Sequence, residues 1–383
     1  MRFIRTILML IVTTLLITSC SSDKEVVGKS RRTVLVYMVA TNSLGASKYD
    51  QQDLNEMDNA IANGNANNCR LLVFYVSYNS NPYLFEIVKK NGAAAHVTLK
   101  EYSEDAKSTT KKRMTEVIND VFTDAPADDY GLVLWSHSDG WARTLSTLKV
   151  KGKNNYKICD FGEDRGAKME IDSLASAIPE SMFSFIYADA CYLGSVEVAY
   201  QLRKCTTYFI SSAAELPVDG MPYDKNIPCF FENSPALIQA CRNTYDYYNN
   251  LKEAKRTLTL SMVNCKKLDA VAEFCSKIQK NGKTLDDISA LQHYNTYSPF
   301  IYYDFKQYYD GLCSSSAQTT EFASLVNDAV LYKASTPYIF NVLKIDPNHF
   351  CGLSTYILGT GSSTNENYYT TLDWYKKVYG GAE

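Results

Sequence analysis

The chain alternates between short apolar runs and longer segments in which apolar residues recur every three or four positions. Residues 33–39 form a continuous apolar run that is typical of a buried strand, and in residues 48–62 the side chains of Leu54, Met57 and Ile61 recur at helical spacing. The same alternation continues through apolar runs at residues 70–77, 132–135, 183–188 and 207–212 and through helical segments between them. Strands that alternate with helices predict an α/β fold with a mostly parallel sheet and helices on both faces.

Two local features refine this pattern. Residues 83–89 form a further apolar run close behind residues 70–77, and we expect the two to pair in the antiparallel sense. Asp172 precedes a short helical segment and is the expected N-cap residue of that helix.

From about residue 231 the pattern becomes mainly helical. Helical spacing is present in residues 236–248, 268–279 and 321–332, and strands are predicted at residues 257–263 and 354–358. We therefore divide the chain into a main α/β domain, residues 33–230, and a mainly helical C-terminal supporting region, residues 231–383.

The first residues have the features of an export signal. Arg2 and Arg5 precede an apolar segment at residues 7–17, which is too short to span a membrane comfortably, and residues 17–20 resemble a bacterial lipobox that ends at Cys20. We expect residues 1–19 to be a lipoprotein signal peptide, residues 20–32 to be a tether, and lipid on Cys20 to anchor the protein to the cell envelope, at the outer membrane. If the lipobox is not used, Cys20 is incidental and the protein is secreted.

The charge balance and the cysteine pattern argue against a nucleic-acid binder and against a metal-binding protein. The 39 basic residues are balanced by 42 acidic residues, so the chain lacks the positive charge of a nucleic-acid binder. Most cysteines other than Cys20 lie among apolar residues, where a free thiol packs as a small hydrophobic side chain, and we expect mostly unpaired thiols. The sequence contains no Cys-x-x-Cys pair and no His/Cys cluster at metal-ligand spacing, so no metal site is predicted.

Two predicted strands each run straight into a reactive side chain. Residues 132–135 are followed by His137, and residues 183–188 are followed by Cys191. Because the carboxyl ends of neighbouring parallel strands share one crevice, a base and a thiol at these two ends can meet. His137 precedes Cys191 by roughly 50 residues, which is the order of caspase-type cysteine peptidases and the reverse of the papain type. A cysteine at a strand end is by itself more often a packing residue, and it is His137 in this order that favours catalysis.

The residues around these two side chains resemble the clostripain family of cysteine peptidases, relatives of the gingipains and caspases. The resemblance is strongest in residues 132–141 and 189–200. Shorter motifs follow the expected order at residues 36–38, 42–44, 53–57, 161–162, 220–223, 352–354 and 372–375, so that the resemblance covers about residues 31–378. It implies a caspase-like fold with residues 33–230 as the catalytic domain, and the activity of a cysteine endopeptidase.

The resemblance also implies how the reaction is carried out. His137 and Cys191 would form a catalytic dyad, in which His137 takes the proton of the thiol and later donates it to the leaving amine. The backbone amides of Cys191 and Ser138 would bind the oxyanion. Ser138 departs from the glycine that the family often has at this position, which adds a side chain beside the amide.

Specificity is implied by two carboxylates. The resemblance places Asp189 and Asp219 at the pocket for the residue before the scissile bond, with Glu215 as the substitute candidate. A carboxylate buried there selects Arg or Lys, because an uncompensated buried charge is costly and a cation relieves that cost. The structural alternative is that Asp189 binds backbone amides at the strand end and that Asp219 caps a turn.

Enzymes that resemble this chain are commonly made as zymogens that are clipped between the histidine and cysteine strands. Residues 143–168 are rich in Lys and Arg, interspersed with Gly and Asn, and read as an exposed loop. We expect self-cleavage at Lys149, Lys151 or Lys153, where the chain presents its own substrate at high effective concentration. The alternative is a solvated basic loop without processing.

Three interpretations remain open from the sequence. The first is a cysteine endopeptidase that cleaves after Arg or Lys, and the second is the same fold with a basic pocket, against which the lack of Arg or Lys beside Asp189 and Asp219 argues. The third is a non-catalytic cell-surface lipoprotein that binds a partner through its tyrosine-rich surface. We expect a monomer that acts on a peptide or protein, touches the membrane only through its lipid and needs no cofactor. Calcium stimulates relatives, but the sequence shows no oxygen-ligand loop for it.

Overall fold

The computed structural model describes residues 28–142 and 161–380. The strands in chain order are β1 Ser30–Val39, β2 Cys69–Val76, β3 Tyr83–Lys90, β4 Ala93–Glu101, β5 Ala127–Trp135, β6 Phe161–Asp164, β7 Ala167–Met169, β8 Phe183–Asp189, β9 Thr206–Ser211, β10 Thr259–Asn264, β11 Tyr303–Asp304, β12 Val330–Ser335, β13 Tyr338–Ile339, β14 Leu343–Lys344 and β15 Ser354–Thr355. The helices are α1 Ser43–Ala46, α2 Tyr49–Asn63, α3 Lys111–Asp124, α4 Ile171–Ala177, α5 Val196–Gln201, α6 Tyr223–Phe230, α7 Leu237–Asn249, α8 Leu268–Gln279, α9 Phe305–Leu312, α10 Ser316–Ala329, α11 Ser363–Tyr369 and α12 Asp373–Val378.

Nine of these strands form one sheet, in the order β12-β10-β9-β8-β5-β1-β2-β3-β4. The central strands β9, β8, β5, β1 and β2 are parallel to one another. On one side β10 and β12, and on the other β3 and β4, each pair with the neighbouring strand nearer the centre in the antiparallel sense. The antiparallel pairing of β2 with β3 confirms the prediction from the sequence. The parallel centre places the carboxyl ends of several strands at one edge, where α/β proteins carry their sites.

Both faces of the sheet are apolar, which is why helices cover both. Along β1 the side chains of Leu35 and Tyr37 enter one core, and those of Val36 and Met38 enter the other. The first core is closed by α3, α4, α5 and α8, and the second by α2, α6 and α7. This arrangement confirms the mostly parallel sheet with helices on both faces.

The chain after residue 230 is mainly helical and packs into the same body. Its strands β10 and β12 extend the sheet beyond β9. Ser354 in β15 donates its amide to the Gly194 carbonyl at 2.9 Å. The fully buried carboxylate of Glu197 in α5 accepts hydrogen bonds from Thr355 and Tyr356, each at 2.9 Å. The C-terminal region therefore holds the segment that begins at the candidate nucleophile.

The start of α4 differs from the prediction. The helix begins at Ile171, Glu170 occupies the N-cap position and Asp172 lies in the first turn, so Asp172 is not the N-cap residue. The hydroxyl of Tyr368 lies 3.2 Å from the Ile171 amide, which it supplies with an acceptor. A side chain distant in sequence thus replaces the local cap that the sequence suggested.

Two further observations concern the whole of the described chain. Within residues 28–142 and 161–380, no helix combines the length and the apolar character that a membrane-spanning segment needs. The nine cysteines in these ranges are free thiols. Cys20 and the predicted signal peptide and lipobox lie outside the described residues.

Candidate active site

The pairing of β5 with β8 brings the two candidate catalytic residues to one place. Trp135, the last residue of β5, pairs with Asp189, the last residue of β8, and the two strands are parallel. His137 and Cys191 each follow two residues beyond that pair, so both leave the sheet at the same level. Their side chains line one cavity of about 300 Å³. The sequence had predicted this meeting from the two strand ends.

A hydrogen bond from the first helix holds the ring of His137. Its Nε2 lies 2.6 Å from the hydroxyl oxygen of Ser43, at the start of α1. Asn42 caps α1, and its side-chain amide donates to the Val39 carbonyl at 2.9 Å and to the Ser136 hydroxyl at 3.1 Å. On the other side, Gly162 donates its amide to the His137 carbonyl at 2.9 Å. Ser43 had no signal in the sequence beyond its place in the motif at residues 42–44.

The thiol of Cys191 is held against one peptide group. The Leu216 amide donates to Sγ at 3.3 Å, and Sγ lies 3.8 Å from the Leu216 carbonyl oxygen. Burial raises the pKa of Cys191 to about 12; the Leu216 amide opposes this shift, and the carboxylates of Glu215, Asp139 and Asp189 add to it. The thiol is therefore protonated at neutral pH in this state, and it needs a base before it can act as a nucleophile.

Replacing Glu215 by Gln should make the thiol easier to ionise. Glu215 lines the cavity, and its negative charge is the first of the charges that raise the pKa of Cys191. Removing it lowers that pKa and increases the thiolate fraction, so alkylation of Cys191 by iodoacetamide at about pH 8 should become roughly twofold faster or more. Peptide mass spectrometry measures the rate at this cysteine, and Glu101→Gln on the exposed edge strand β4 is the control. A rate that is unchanged or lower in Glu215→Gln would contradict the assignment.

Two backbone amides are available beside the thiol. Among the described residues, the amides of Ser138 and Cys191 donate to no carbonyl or side chain, whereas the next amide, that of Tyr192, donates to the Ala214 carbonyl at 3.1 Å. The Ser138 side chain does not disturb this arrangement, because its hydroxyl oxygen is buried and accepts the Gly140 amide at 3.1 Å. The departure from glycine at residue 138 is thus accommodated inside the turn.

The loop after Cys191 can follow its path only because Gly194 has no side chain. A Cβ at Gly194 would lie 2.5 Å from the Ser212 carbonyl carbon at the end of β9, closer than real Cβ contacts occur. The Gly194 amide donates to the Ser212 carbonyl at 2.7 Å. This contact fixes the loop that carries Cys191 to the neighbouring strand.

The lining of the cavity includes a buried carboxylate. Asp189 lines it, and its Oδ2 accepts hydrogen bonds from the Met221 amide at 3.1 Å and from the Tyr223 hydroxyl at 3.0 Å. Burial raises the pKa of Asp189 to about 6, and these two hydrogen bonds oppose the shift. Asp189 therefore binds a backbone amide, as expected if its role is structural, and it also lines the cavity, as expected if it binds substrate. Asp219, half-buried beside Gly220, is not among the described residues that line the cavity.

Two further carboxylates, to which the sequence assigned no role, lie close enough to Asp189 to interact with its charge. Asp53 and Glu56 lie one turn apart in α2. Asp53 accepts the Trp135 indole N–H at 2.6 Å, and Glu56 accepts the Tyr223 amide at 2.9 Å. Burial raises the pKa of Asp53 well above its usual range, with Asp189 adding to the shift, and burial raises the pKa of Glu56 to about 7. The motif at residues 53–57 was the signal that could have identified them.

One wall of the cavity comes from the C-terminal region. Phe340, in the turn between β13 and β14, lines the cavity beside Leu44 and Val218. The Phe340 amide donates to the Thr257 hydroxyl at 2.8 Å, which fixes the turn. No periodicity around residue 340 indicated this contact.

Several predicted residues cannot be placed. Lys149, Lys151 and Lys153 lie outside the described residues, as does Cys20. Within residues 28–142 and 161–380, no three His, Cys, Asp or Glu side chains are arranged to hold a metal ion. Stimulation by calcium stays an expectation from the resemblance, without an assigned site.

Comparisons with known proteins identify the family of the chain. The model of the clostripain family matches residues 36–380. A secreted C11 cysteine protease from Bacteroides thetaiotaomicron, iotapain, superimposes with a TM-score of 0.80 at 25% identity, covering 92% of this chain and 99% of that one. A second secreted C11 cysteine protease from that organism, solved with an irreversible peptide inhibitor, gives 0.77 at 29% identity, covering 91% and 99%. An inactive zymogen C11 protease from Parabacteroides distasonis gives 0.76 at 30% identity, covering 92% and 100%.

A search of curated protein sequences found no match. The family model and the solved relatives nevertheless each extend over most of the chain. The cavity that joins a histidine and a thiol at two strand ends lies within the matched region. The chain therefore belongs to the clostripain family and is a cysteine peptidase.

Proposed function

We propose that the protein is an endopeptidase that cleaves after Arg or Lys through a dyad of Cys191 and His137. One observation carries the proposal: the cavity that His137 and Cys191 line is also lined by a buried carboxylate, Asp189. The hydrogen bonds of that carboxylate come from an amide and a phenol, which are neutral donors. A cationic side chain that enters the cavity would supply the missing opposite charge.

The protonated thiol defines the first step of the proposed mechanism. His137 takes the proton of Cys191, and the thiolate sulfur attacks the carbonyl carbon of the scissile bond. The amides of Ser138 and Cys191 donate to the oxygen on which negative charge develops. His137 then donates its proton to the leaving amine, and water hydrolyses the acyl-enzyme to release the free thiol.

Ser43 supports this use of His137. A hydrogen bond to Nε2 restricts rotation of the ring and so holds His137 in place at the cavity. The carboxylates near the thiol have the opposite effect on attack, because they raise its pKa. A cationic substrate side chain next to Asp189 would offset that effect, so that the thiol ionises most readily when the correct substrate is bound.

Matched peptide reporters test the proposed specificity. Reporters that differ only in the residue before the cleaved bond, carrying Arg, Lys, Asp or citrulline, are compared with wild-type protein and with Asp189→Asn. We expect hydrolysis of the Arg and Lys reporters, and a loss in kcat/KM on the order of 100-fold in Asp189→Asn, because the variant leaves the cation without its partner. Asp304→Asn is the control, since Asp304 is also buried but is not among the residues that line the cavity. Preference for the Asp reporter, or for citrulline over Arg, would contradict the proposal.

Two further parts of the proposal concern processing and location. We propose that the protein is a zymogen that cleaves itself within residues 149–153, which is supported by the relative named as an inactive zymogen. We also propose export with lipid on Cys20, supported by the two relatives named as secreted and by the lipobox-like residues 17–20. A monomeric state and the lack of a cofactor requirement stay predictions.

A further inference from the structure

Asp53 is a fully buried carboxylate that the proposed mechanism does not use. It lies in α2, and its side chain is 0% exposed. One oxygen, Oδ2, accepts the Trp135 indole N–H at 2.6 Å, while Oδ1 has no hydrogen-bond partner among the described residues. A buried carboxylate with an unpartnered oxygen is costly, and such a group calls for an explanation.

The position of Gly220 shows that Asp53 lies directly under the cavity. Gly220 lines the cavity with a φ of +63°, and a Cβ placed on it would lie 2.8 Å from Asp189 Oδ2 and 3.2 Å from Asp53 Oδ2. The two carboxylates therefore approach the same point of the cavity wall. Trp135, which binds Asp53, also lines the cavity.

The charged groups that act most strongly on Asp53 are negative. Within its own helix, Glu56 stands one turn beyond Asp53; from the strand end and the following loop, Asp189 and Asp219 face it. The neighbouring tyrosines of α6 and α7, Tyr223 and Tyr248, offer only neutral hydroxyls. In the described part of the chain, the hydrogen-bond donors to Asp53, Glu56 and Asp189 are amides, an indole and a phenol, and none is Lys or Arg.

We infer that Asp53 is a second specificity residue, a carboxylate beneath the cavity that acts with Asp189 to balance the charge of an Arg or Lys side chain of the substrate. The inference rests on the proposed function and adds a residue to it. Asp53 does not touch the substrate; it acts through its charge, which is strong at short range because the surroundings are buried and weakly polarisable. The carboxylate approaches the cavity wall through Oδ2, and the charge of the substrate would offset the cost of ionising this buried group.

This role has a pH dependence with a definite sign. Burial and the neighbouring Asp189 raise the pKa of Asp53, so the free enzyme keeps a proton on this carboxyl group at pH values where an exposed Asp is ionised. A rise in pH removes that proton and adds negative charge under the cavity. KM for an Arg reporter should therefore fall as pH rises through this range, and KM for a citrulline reporter, which is neutral and similar in shape, should not follow it.

The test compares Asp53→Asn with Asp50→Asn. Asn keeps the shape of Asp and an acceptor for Trp135 but removes the charge. Asp50 is a matched control, because it lies in the same helix, is 2% exposed and has an unpartnered Oδ1, yet its Oδ2 accepts the Tyr75 hydroxyl instead of a group that lines the cavity. The readout is the ratio of kcat/KM for the Arg reporter to that for the citrulline reporter, with KM and kcat determined separately across pH.

We expect Asp53→Asn to lower the Arg-to-citrulline ratio about tenfold, mainly through KM, and to flatten the pH dependence of KM for Arg. Asp50→Asn should leave the ratio unchanged. If Asp53→Asn affects both reporters equally, or neither, while the wild type prefers Arg, the inference alone is overturned. If the wild type itself does not prefer Arg to citrulline, the proposed specificity fails and this inference fails with it.

A second variant keeps the inference testable if Asp53→Asn does not fold. Trp135→Phe retains the aromatic ring but removes the N–H that stabilises the ionised form of Asp53. The curve of KM against pH for the Arg reporter should then shift to higher pH, while the citrulline curve stays in place. An Arg curve at its wild-type position would overturn the inference.

Discussion

Replacing Cys191 by Ala is expected to abolish hydrolysis of the Arg and Lys reporters while the protein remains folded. The sulfur is the atom that attacks the substrate, so its removal leaves only binding and the oxyanion amides, and a loss on the order of 10⁶-fold in kcat is the size expected for a missing nucleophile. His137→Ala should cause a loss of similar order, because the pKa of Cys191 near 12 leaves almost no thiolate without a base. Initial rates with a fluorogenic Arg peptide measure both effects.

Matched variants separate loss of chemistry from loss of structure. Cys229→Ala removes another free, half-buried cysteine that lies in α6, and His96→Ala removes a histidine on β4 that bonds to Asp58. Both should keep wild-type turnover. Near-wild-type turnover in Cys191→Ala, together with a wild-type melting temperature, would exclude the proposed dyad.

Self-cleavage is expected to depend on the same thiol. Incubated wild-type protein should be converted into two fragments whose junction lies within residues 149–153, whereas Cys191→Ala should stay intact, because an inactive chain cannot cut its own loop. A segment of the same chain is presented to the site at far higher effective concentration than a separate substrate, so the wild-type reaction should follow first-order kinetics and not depend on protein concentration. Intact-mass spectrometry over time gives the masses, the position and the rate.

A variant with Lys149, Lys151 and Lys153 all changed to Gln identifies the position. It should fold, and it should not be cut between residues 149 and 153. Its rate on small reporters, compared with that of the cleaved wild type, measures how far access to the cavity depends on cleavage. Adding active wild-type protein to Cys191→Ala tells whether one molecule can cut another. Cleavage of Cys191→Ala on its own, at the wild-type rate, would show that a different protease is responsible.

Much of the fold could be predicted because it depends on short-range patterns. The apolar run at residues 33–39 and the helical spacing in residues 48–62 correspond to β1 and α2, and the two strand ends led to His137 and Cys191. Parallel strands place their carboxyl ends together by geometry alone, so two local motifs were enough to predict a shared cavity.

The remaining features depend on contacts between distant parts of the chain. Asp53 lies in a helix of mixed polarity, where a charged residue is normally expected at the surface, and only the approach of Gly220 from far along the chain brings the cavity wall next to it. Phe340 reaches the cavity from the C-terminal region, and Tyr368 supplies the acceptor at the start of α4 that Asp172 was expected to provide. No periodicity in a window of residues encodes such contacts.

The hydrogen bonds between β15 and the segment after Cys191 make that segment dependent on the end of the chain. Glu197 is completely buried beneath the loop that carries Cys191, and its acceptor oxygen depends on Thr355 and Tyr356. A fragment that ended before β15 would leave that carboxylate without either donor, at a cost of about 1–3 kcal/mol or more for each unsatisfied buried group. Loss of the end of the chain would therefore weaken the support of the segment that carries Cys191, although the truncated part lies far from the nucleophile in sequence.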